Sequence, residues 1–338
     1  MKLPVRIILA LLCAAMVLSA PFVLSAPNML GEVKWMLLDE MEDAEDEGAL
    51  MNLLLPRASA EEAAEETAYA LPVDFTPGME PNPALFTEGG YEDASIRVQM
   101  ETREESGVIW RIAWVEVASP TQLRTAIAGK KVTSNSSALV KSMAEKNNAI
   151  VALNGDYYSN DPNKTTYEYR MGEKVRAKTN QKKDILIIDE NGDFHIVLAQ
   201  AKKDQQAALD AIEKEFTIVN AFTFGPALVD GGEALKMNKD YSYNPNGREP
   251  RAAIGQLDHL SYVMVIAEGR GESKGVTHQE LADFMASLGC KVAYNLDGGG
   301  SATLVYNGDY YNHLGGSPRS MSDMIYFATA VPAEEWKK

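Results

Sequence analysis

The sequence predicts an α+β fold, a mixed and largely antiparallel sheet with flanking helices. Three observations carry that expectation: strand-patterned segments outnumber helical ones, several strands are joined through hairpin turns, and no internal repeat runs along the chain. Residues 108–117 alternate as a long strand does, and residues 137–147 fit a helix. Residues 149–153 form a short, wholly apolar strand that runs into Asn154. Residues 185–189 and 194–199 flank Glu190-Asn191-Gly192-Asp193, a hairpin signal. A polar surface helix follows over 201–215, then strands at 218–224, 252–257 and 262–267. The clearest helix spans 277–288. Thr277 and Glu280 make a capping box, Leu281, Phe284, Met285 and Leu288 share one face, and Gly289 supplies the left-handed stop. Residues 292–296 are a strand delivering the chain to Asp297, and strands at 302–306 and 324–331 finish the sheet.

Composition narrows the function classes. The chain has 338 residues, 46% of them apolar, which is enough for a real core. With 48 acidic against 32 basic residues and a net charge of −16, nucleic acid is not the expected partner. The acidity is concentrated. Residues 25–95 hold 17 acids against Lys34 and Arg57, whereas residues 96–338 hold 31 acids and 28 bases. Of the two cysteines, Cys13 lies in the N-terminal apolar run, so Cys290 stands alone and neither a disulfide framework nor a zinc cluster can be built.

Three regions follow. Residues 1–26 read as a signal peptide or membrane anchor, with Lys2 and Arg6 ahead of an apolar run; either reading exports the rest and gives the chain a membrane partner. Residues 27–94 read as an acidic disordered spacer, dense in Asp and Glu over 39–66 and closed by Pro72, Pro77, Pro81 and Pro83. Residues 95–338 read as an almost neutral globular domain.

Four loops join glycine to polar residues at strand ends, where a rigid scaffold presents chemistry. They are Asn154-Gly155-Asp156-Tyr157-Tyr158, the stretch opening at Arg248 and reaching Arg251, Asp297-Gly298-Gly299-Gly300-Ser301, and the glycine-rich loop carrying Arg319 and Asp323. Taken singly, the first also reads as a plain turn and Arg251 as an arginine snorkelling to solvent. Three consecutive glycines exceed what a turn requires. They let backbone approach a ligand and offer amides to an anion.

In this order the four loops resemble the phosphodiester glycosidase family. The resemblance rests on Asn154-Gly155-Asp156-Tyr157-Tyr158, Phe224-Gly225-Pro226-Ala227-Leu228, Pro250-Arg251 through Gly255, Gly275 and Thr277 with Glu280, Asn295 through Ser301, and Arg319 with Asp323. It covers residues 95–332. Ala252 stands where the family has threonine, and Glu268-Gly269-Arg270 replaces an Asp-Gly-Arg element. The resemblance implies a hydrolase that cleaves the glycosidic bond of a sugar-1-phosphodiester; with the export read from the N-terminus, the expected substrate is a cell-wall or extracellular glycan.

The residue types suit that chemistry. Arg251 and Arg319 are the candidates to fork a phosphate, helped by amides of Gly298, Gly299, Gly300 and Ser301. Asp297 is the candidate carboxylate beside the sugar carbon, with Asp156 or Glu268 as the second; Asn154 and Gly155 position a sugar or phosphate oxygen. Asp156, Asp297 and nearby carbonyls are also oxygen ligands of the kind calcium or magnesium takes. His313 is the histidine nearest the fourth loop, and Tyr157, Tyr158, Tyr167 and Tyr169 are candidates to stack on sugar rings. Two other readings stand beside the hydrolase: a non-catalytic phosphoglycan-binding module, and a phosphodiesterase cleaving the P–O bond.

Overall fold

The computed structural model describes residues 69–131, 136–156 and 166–337. Ala64–Lys338 forms one compact unit; the N-terminal unit, Met1–Ala63, lies outside the described residues, and with it the expected signal or anchor. No helix among the described residues is long and apolar enough to cross a membrane.

Among the described residues, three large antiparallel sheets and a two-stranded one, Ala138–Leu139 with Ser320–Met321, build the unit. The largest has eight strands in the order Gly90–Glu92, Ile96–Glu105, Val108–Val117, Ser261–Ala267, Arg251–Asp258, Val292–Leu296, Ala227–Asp230 and Glu233–Ala234. A second orders Phe194–Val197, Ile185–Asp189, Ile218–Phe222, Tyr167–Arg170 and Glu173–Ala177. A third orders Asp309–Tyr310, Leu304–Tyr306, Val151–Asn154, Asp323–Phe327 and Leu123–Ile127. Every pairing among the described residues is antiparallel. Among the described residues three α-helices accompany them: α1 (Val140–Lys146), α2 (Lys202–Glu215) and α3 (His278–Ser287). The α+β class read from the sequence is the observed one.

The large sheet is apolar on both faces because both are covered. Ala252, Ile254, Met264 and Leu296 face the main core, with Leu153, Leu186, Phe222 and Ile325 of the other two sheets. Their neighbours Ala253, Val263, Val265 and Ala293 point the other way, onto Leu281, Phe284 and Met285 of α3. This explains the near-continuous apolar runs, since a strand buried on both sides loses its polar alternation. The capping box of α3 forms as the sequence indicates. The Thr277 hydroxyl accepts from the amide of Glu280, and the Glu280 carboxylate accepts from that of Thr277.

Two strands escape the pattern. Ile96–Glu105 ends in a highly charged run, yet pairs along its length with Val108–Val117 through a turn at Ser106 (φ 52°) and Gly107 (φ 75°). Both turn residues are left-handed, the geometry that matches strand twist in a two-residue hairpin. The far end of the expected spacer also differs. Gly90–Glu92 joins the large sheet, and the buried Arg124 donates to the carbonyls of Pro72, Asp74 and Thr76. Residues 69–94 are therefore part of the fold. Their apolar anchors are the buried Leu71 and Tyr91.

Candidate active site

Strand register gathers the site at one end of the large sheet. Arg251 pairs with Ala267, and Ala252 pairs with Leu296. The residues leaving those strands, Glu268-Gly269-Arg270 and Asp297-Gly298-Gly299-Gly300, therefore emerge where Arg251 begins its own strand. Phe224 and Gly225 arrive at the same end, because the amide of Asn295 donates to Pro226 O at 3.0 Å and its side chain to Gly225 O at 2.7 Å. Arg319 comes from the loop before Ser320–Met321, which is pinned by pairing with Ala138–Leu139. Together these segments line a cavity of about 300 Å³ formed by Phe224, Tyr243, Asn244, Glu249, Arg251, Arg270, Asp297, Gly298, Gly299, Gly300 and Arg319.

Asp297 is half-buried in this wall. Burial pushes its carboxyl above the ordinary aspartate range. The Ser301 hydroxyl, Arg319 and the Gly298 amide pull it back, and the nearby charge of Asp156 pushes with burial. Arg319 also donates to the Ser301 hydroxyl at 3.2 Å, so Ser301 links the carboxylate to the guanidinium. The glycines serve the protein as well as the cavity. A Cβ on Gly298 would stand 2.6 Å from Pro250 O, and Gly299 is left-handed at φ 59°, its place for a Cβ 3.1 Å from Arg270 Nη2. The Gly299 amide donates to Pro250 O at 2.7 Å and the Ser301 amide to Gly298 O at 3.0 Å. Those two amides are turned inward rather than toward an anion.

Arg251 lines the cavity but is 3% exposed, and all five of its N–H donors have acceptors in the protein. Nε donates to Val276 O, Nη1 to Tyr243 O and His278 Nε2, and Nη2 to Asn244 O and Gly247 O. Burial pulls its pKa down to about 10. Its partner His278 is held neutral, pulled down to about 3 by burial and by the positive charges of Arg251 and Lys183. The expected phosphate fork thus has its donors engaged elsewhere. A second exposed cation in the lining beside Arg319 is Arg270, noted in the sequence only as the end of Glu268-Gly269-Arg270 and given no role there; it pairs with Glu249 at 2.7 Å.

The other expected carboxylates do not line the cavity. Asp156 is buried, with Oδ1 2.6 Å from Arg170 Nη2 and Oδ2 accepting from the Thr223 amide. Arg170 also reaches Asp323 at 2.7 Å, forming a buried charge cluster beneath the site. Glu268 is buried against Arg111 at 2.7 Å and accepts from the His313 amide. Asn154 is likewise buried. Its amide donates to Asp297 O at 2.7 Å and its carbonyl accepts from Thr303, so it braces the Asp297 loop. Gly155 lies against that same loop, its carbonyl 3.4 Å from the Asp297 amide. Tyr157 and Tyr158 fall outside the described residues. Tyr167 and Tyr169 sit on Glu213 of α2, away from the cavity-lining set. No group of three or more His, Cys, Asp or Glu among the described residues is placed to hold a metal ion.

Residues 147–328, more than half the chain, match the family model described as phosphodiester glycosidase. The chain belongs to the phosphodiester glycosidase family. Every residue lining the cavity falls inside the matched region. The chain is 32% identical over 108 residues to an uncharacterized SPbeta prophage-derived protein, YomE, of Bacillus subtilis, covering 31% of this chain and 17% of that protein. It is 43% identical over 58 residues to human N-acetylglucosamine-1-phosphodiester alpha-N-acetylglucosaminidase, covering 17% of this chain and 11% of the human protein. The matched stretch is therefore a small part of either relative. The fold extends further: the zebrafish enzyme of the same name, solved as its catalytic domain auto-inhibited by pro-peptide, superposes with a TM-score of 0.55 at 18% identity, covering 74% of this chain and 86% of that one.

Proposed function

We propose that the chain is an exported hydrolase that cleaves the glycosidic bond of a sugar-1-phosphodiester, with a cell-wall or extracellular glycan as the natural substrate. The observation that carries this reading is that Asp297 shares one cavity with two exposed guanidiniums, Arg270 and Arg319. Three arginines against two carboxylates, Asp297 and Glu249, give the lining a cationic surplus suited to a phosphodiester. Arg270 and Arg319 hold the phosphoryl oxygens, and Asp297 faces the anomeric carbon, where positive charge develops as the C–O bond breaks. The electron pair leaves with the phosphate, and water supplies the new hydroxyl on the sugar. The phosphate is already a good leaving group, so the reaction needs little acid assistance, which suits the cation-rich lining among the described residues.

Export rests on Lys2 and Arg6 followed by the apolar run 7–24. The test uses an N-acetylglucosamine-1-phosphodiester, the compound class for which the similar human and zebrafish enzymes are named, in oxygen-18 water. Label in the released sugar is expected; label in the phosphate would mean P–O cleavage and end this reading. Given to intact cells, the same impermeant substrate should be turned over only if the domain lies outside the membrane.

Arg319→Gln should weaken substrate binding roughly ten- to hundredfold, the loss of a charged hydrogen bond worth ~1.5–3 kcal/mol. It should also shift the pH profile. The rate falls as pH drops through the pKa of Asp297, because the protonated carboxyl no longer stabilises the developing charge. Burial raises that pKa and Arg319 lowers it, so removing Arg319 moves the acid limb of kcat/KM to higher pH. An acid limb that stays in place would show that Asp297 is not the group being titrated.

A further inference from the structure

The loop of residues 238–247 brings Tyr243 and Asn244 into the cavity wall. Both are left-handed, at φ 67° and 54°, and neither is glycine. Two consecutive residues in that region carry a conformational cost that the surroundings must offset. Arg251 does so. Three of its five donors end on backbone carbonyls of this loop, at Tyr243 (3.1 Å), Asn244 (2.7 Å) and Gly247 (3.1 Å).

What the clamp presents is an aromatic ring. Tyr243 stacks on Phe224 with centroids 4.4 Å apart and planes 8° from parallel, and the Lys183 ammonium stands 4.1 Å from its centroid. The Lys183 ammonium also bonds Phe224 O at 3.2 Å, fixing the stack from below. Despite these contacts Tyr243 is 49% exposed. It and Phe224 are the only aromatic residues in a described lining that is otherwise glycine, amide and charge. A pyranose has one face of C–H bonds, and this stack is the one apolar surface the described lining offers it.

We propose that Tyr243 reads the sugar ring of the substrate by packing against its C–H face, and that Arg251 is a positioning residue that holds the loop rather than a phosphate ligand. The assignment rests on the phosphodiester reading. It divides the cavity's work: Arg270 and Arg319 take the anion common to all such substrates, and the clamped loop distinguishes the sugar.

The test measures binding of three probes, N-acetylglucosamine 1-phosphate, methyl N-acetylglucosaminide and methyl phosphate, by titration calorimetry. The wild-type chain should bind the sugar phosphate more tightly than methyl phosphate. Tyr243→Ala should shrink that gap by about tenfold and leave methyl phosphate affinity in place. Tyr243→Phe, which keeps the ring, should preserve the gap. Arg251→Lys should shrink the gap as Tyr243→Ala does. An unchanged gap in Tyr243→Ala overturns the proposal, as does an Arg251→Lys variant that loses methyl phosphate binding and keeps the gap. A wild-type chain that binds the methyl glycoside through Tyr243 but ignores methyl phosphate would overturn the phosphodiester reading and leave the sugar contact standing.

Discussion

Asp297→Asn should abolish turnover, with a loss of roughly a thousandfold or more, about 4 kcal/mol of transition-state stabilisation. Asparagine keeps the shape of the side chain and its hydrogen bond to Ser301 but carries no charge to set against a carbon becoming cationic. Folding should be unaffected. The Asp297 carboxyl is raised by burial, so its charge is held at a cost in the folded state, and a neutral amide removes that cost. The expected pattern is therefore an inactive variant whose urea midpoint matches or slightly exceeds that of the wild type, with sugar-phosphate binding retained through Arg270 and Arg319. Wild-type turnover in this variant would remove Asp297 from the mechanism. Loss of activity together with a lowered urea midpoint would assign it a structural role instead.

The sequence was most legible where one local pattern decides the outcome. Strand Val108–Val117, the hairpin Ile185–Asp189 with Phe194–Val197, and the capped helix α3 each follow from periodicity and turn or cap chemistry within about a dozen residues. The gathering of Arg251, Asp297, the glycines and Arg319 was legible from loops at strand ends. What each side chain does there was not. Arg251 and Arg319 look alike in sequence, yet one is clamped by carbonyls of residues 243–247 and the other is exposed. Backbone acceptors leave no trace in side-chain patterns. Asp156 and Glu268 likewise sit at promising strand ends, and only their partners, the buried Arg170 and the half-buried Arg111, account for them. Glu249 and Arg270 could have been reached from the register. They lie two residues before Arg251 and three after Ala267, positions that the pairing of Arg251 with Ala267 brings to the same end of the sheet.

Arg170→Met should be the most destabilising single substitution in the unit, at ~3–5 kcal/mol, a large part of the 5–15 kcal/mol typical of a folded domain. Arg170 lies in the Tyr167–Arg170 strand of the second sheet; of the carboxylates it meets, Asp323 opens an interior strand of the third sheet and Asp156 follows the end of that strand's neighbour, Val151–Asn154. Its Nη1 donates to Ala221 O at 2.5 Å, and its guanidinium lies 4.1 Å from the Phe222 ring. Removing it leaves two carboxylates buried beside Glu168, with no cation between them. The deficit should depend on pH, and the sign is fixed. Burial pushes Asp323 above the ordinary aspartate range, Arg170 pulls it down and Asp156 pushes it up, so without the arginine it rises further. A carboxyl whose folded pKa lies above its unfolded value supports the fold below the unfolded value and loses that contribution as pH rises through the folded one. Urea unfolding should therefore show the largest deficit at pH 8 and a smaller one at pH 5, and Asp323→Asn in the same chain should recover part of it at pH 8. A deficit independent of pH would mean that Arg170 contributes packing rather than charge. The effect should also reach the cavity, because Asp156 follows Asn154 and Gly155, which hold the backbone of Asp297. Under the proposed function, the Asp297 loop is braced by a buried ion cluster outside the cavity lining, and the two contributions can be separated by comparing the pH dependence of stability with that of kcat/KM.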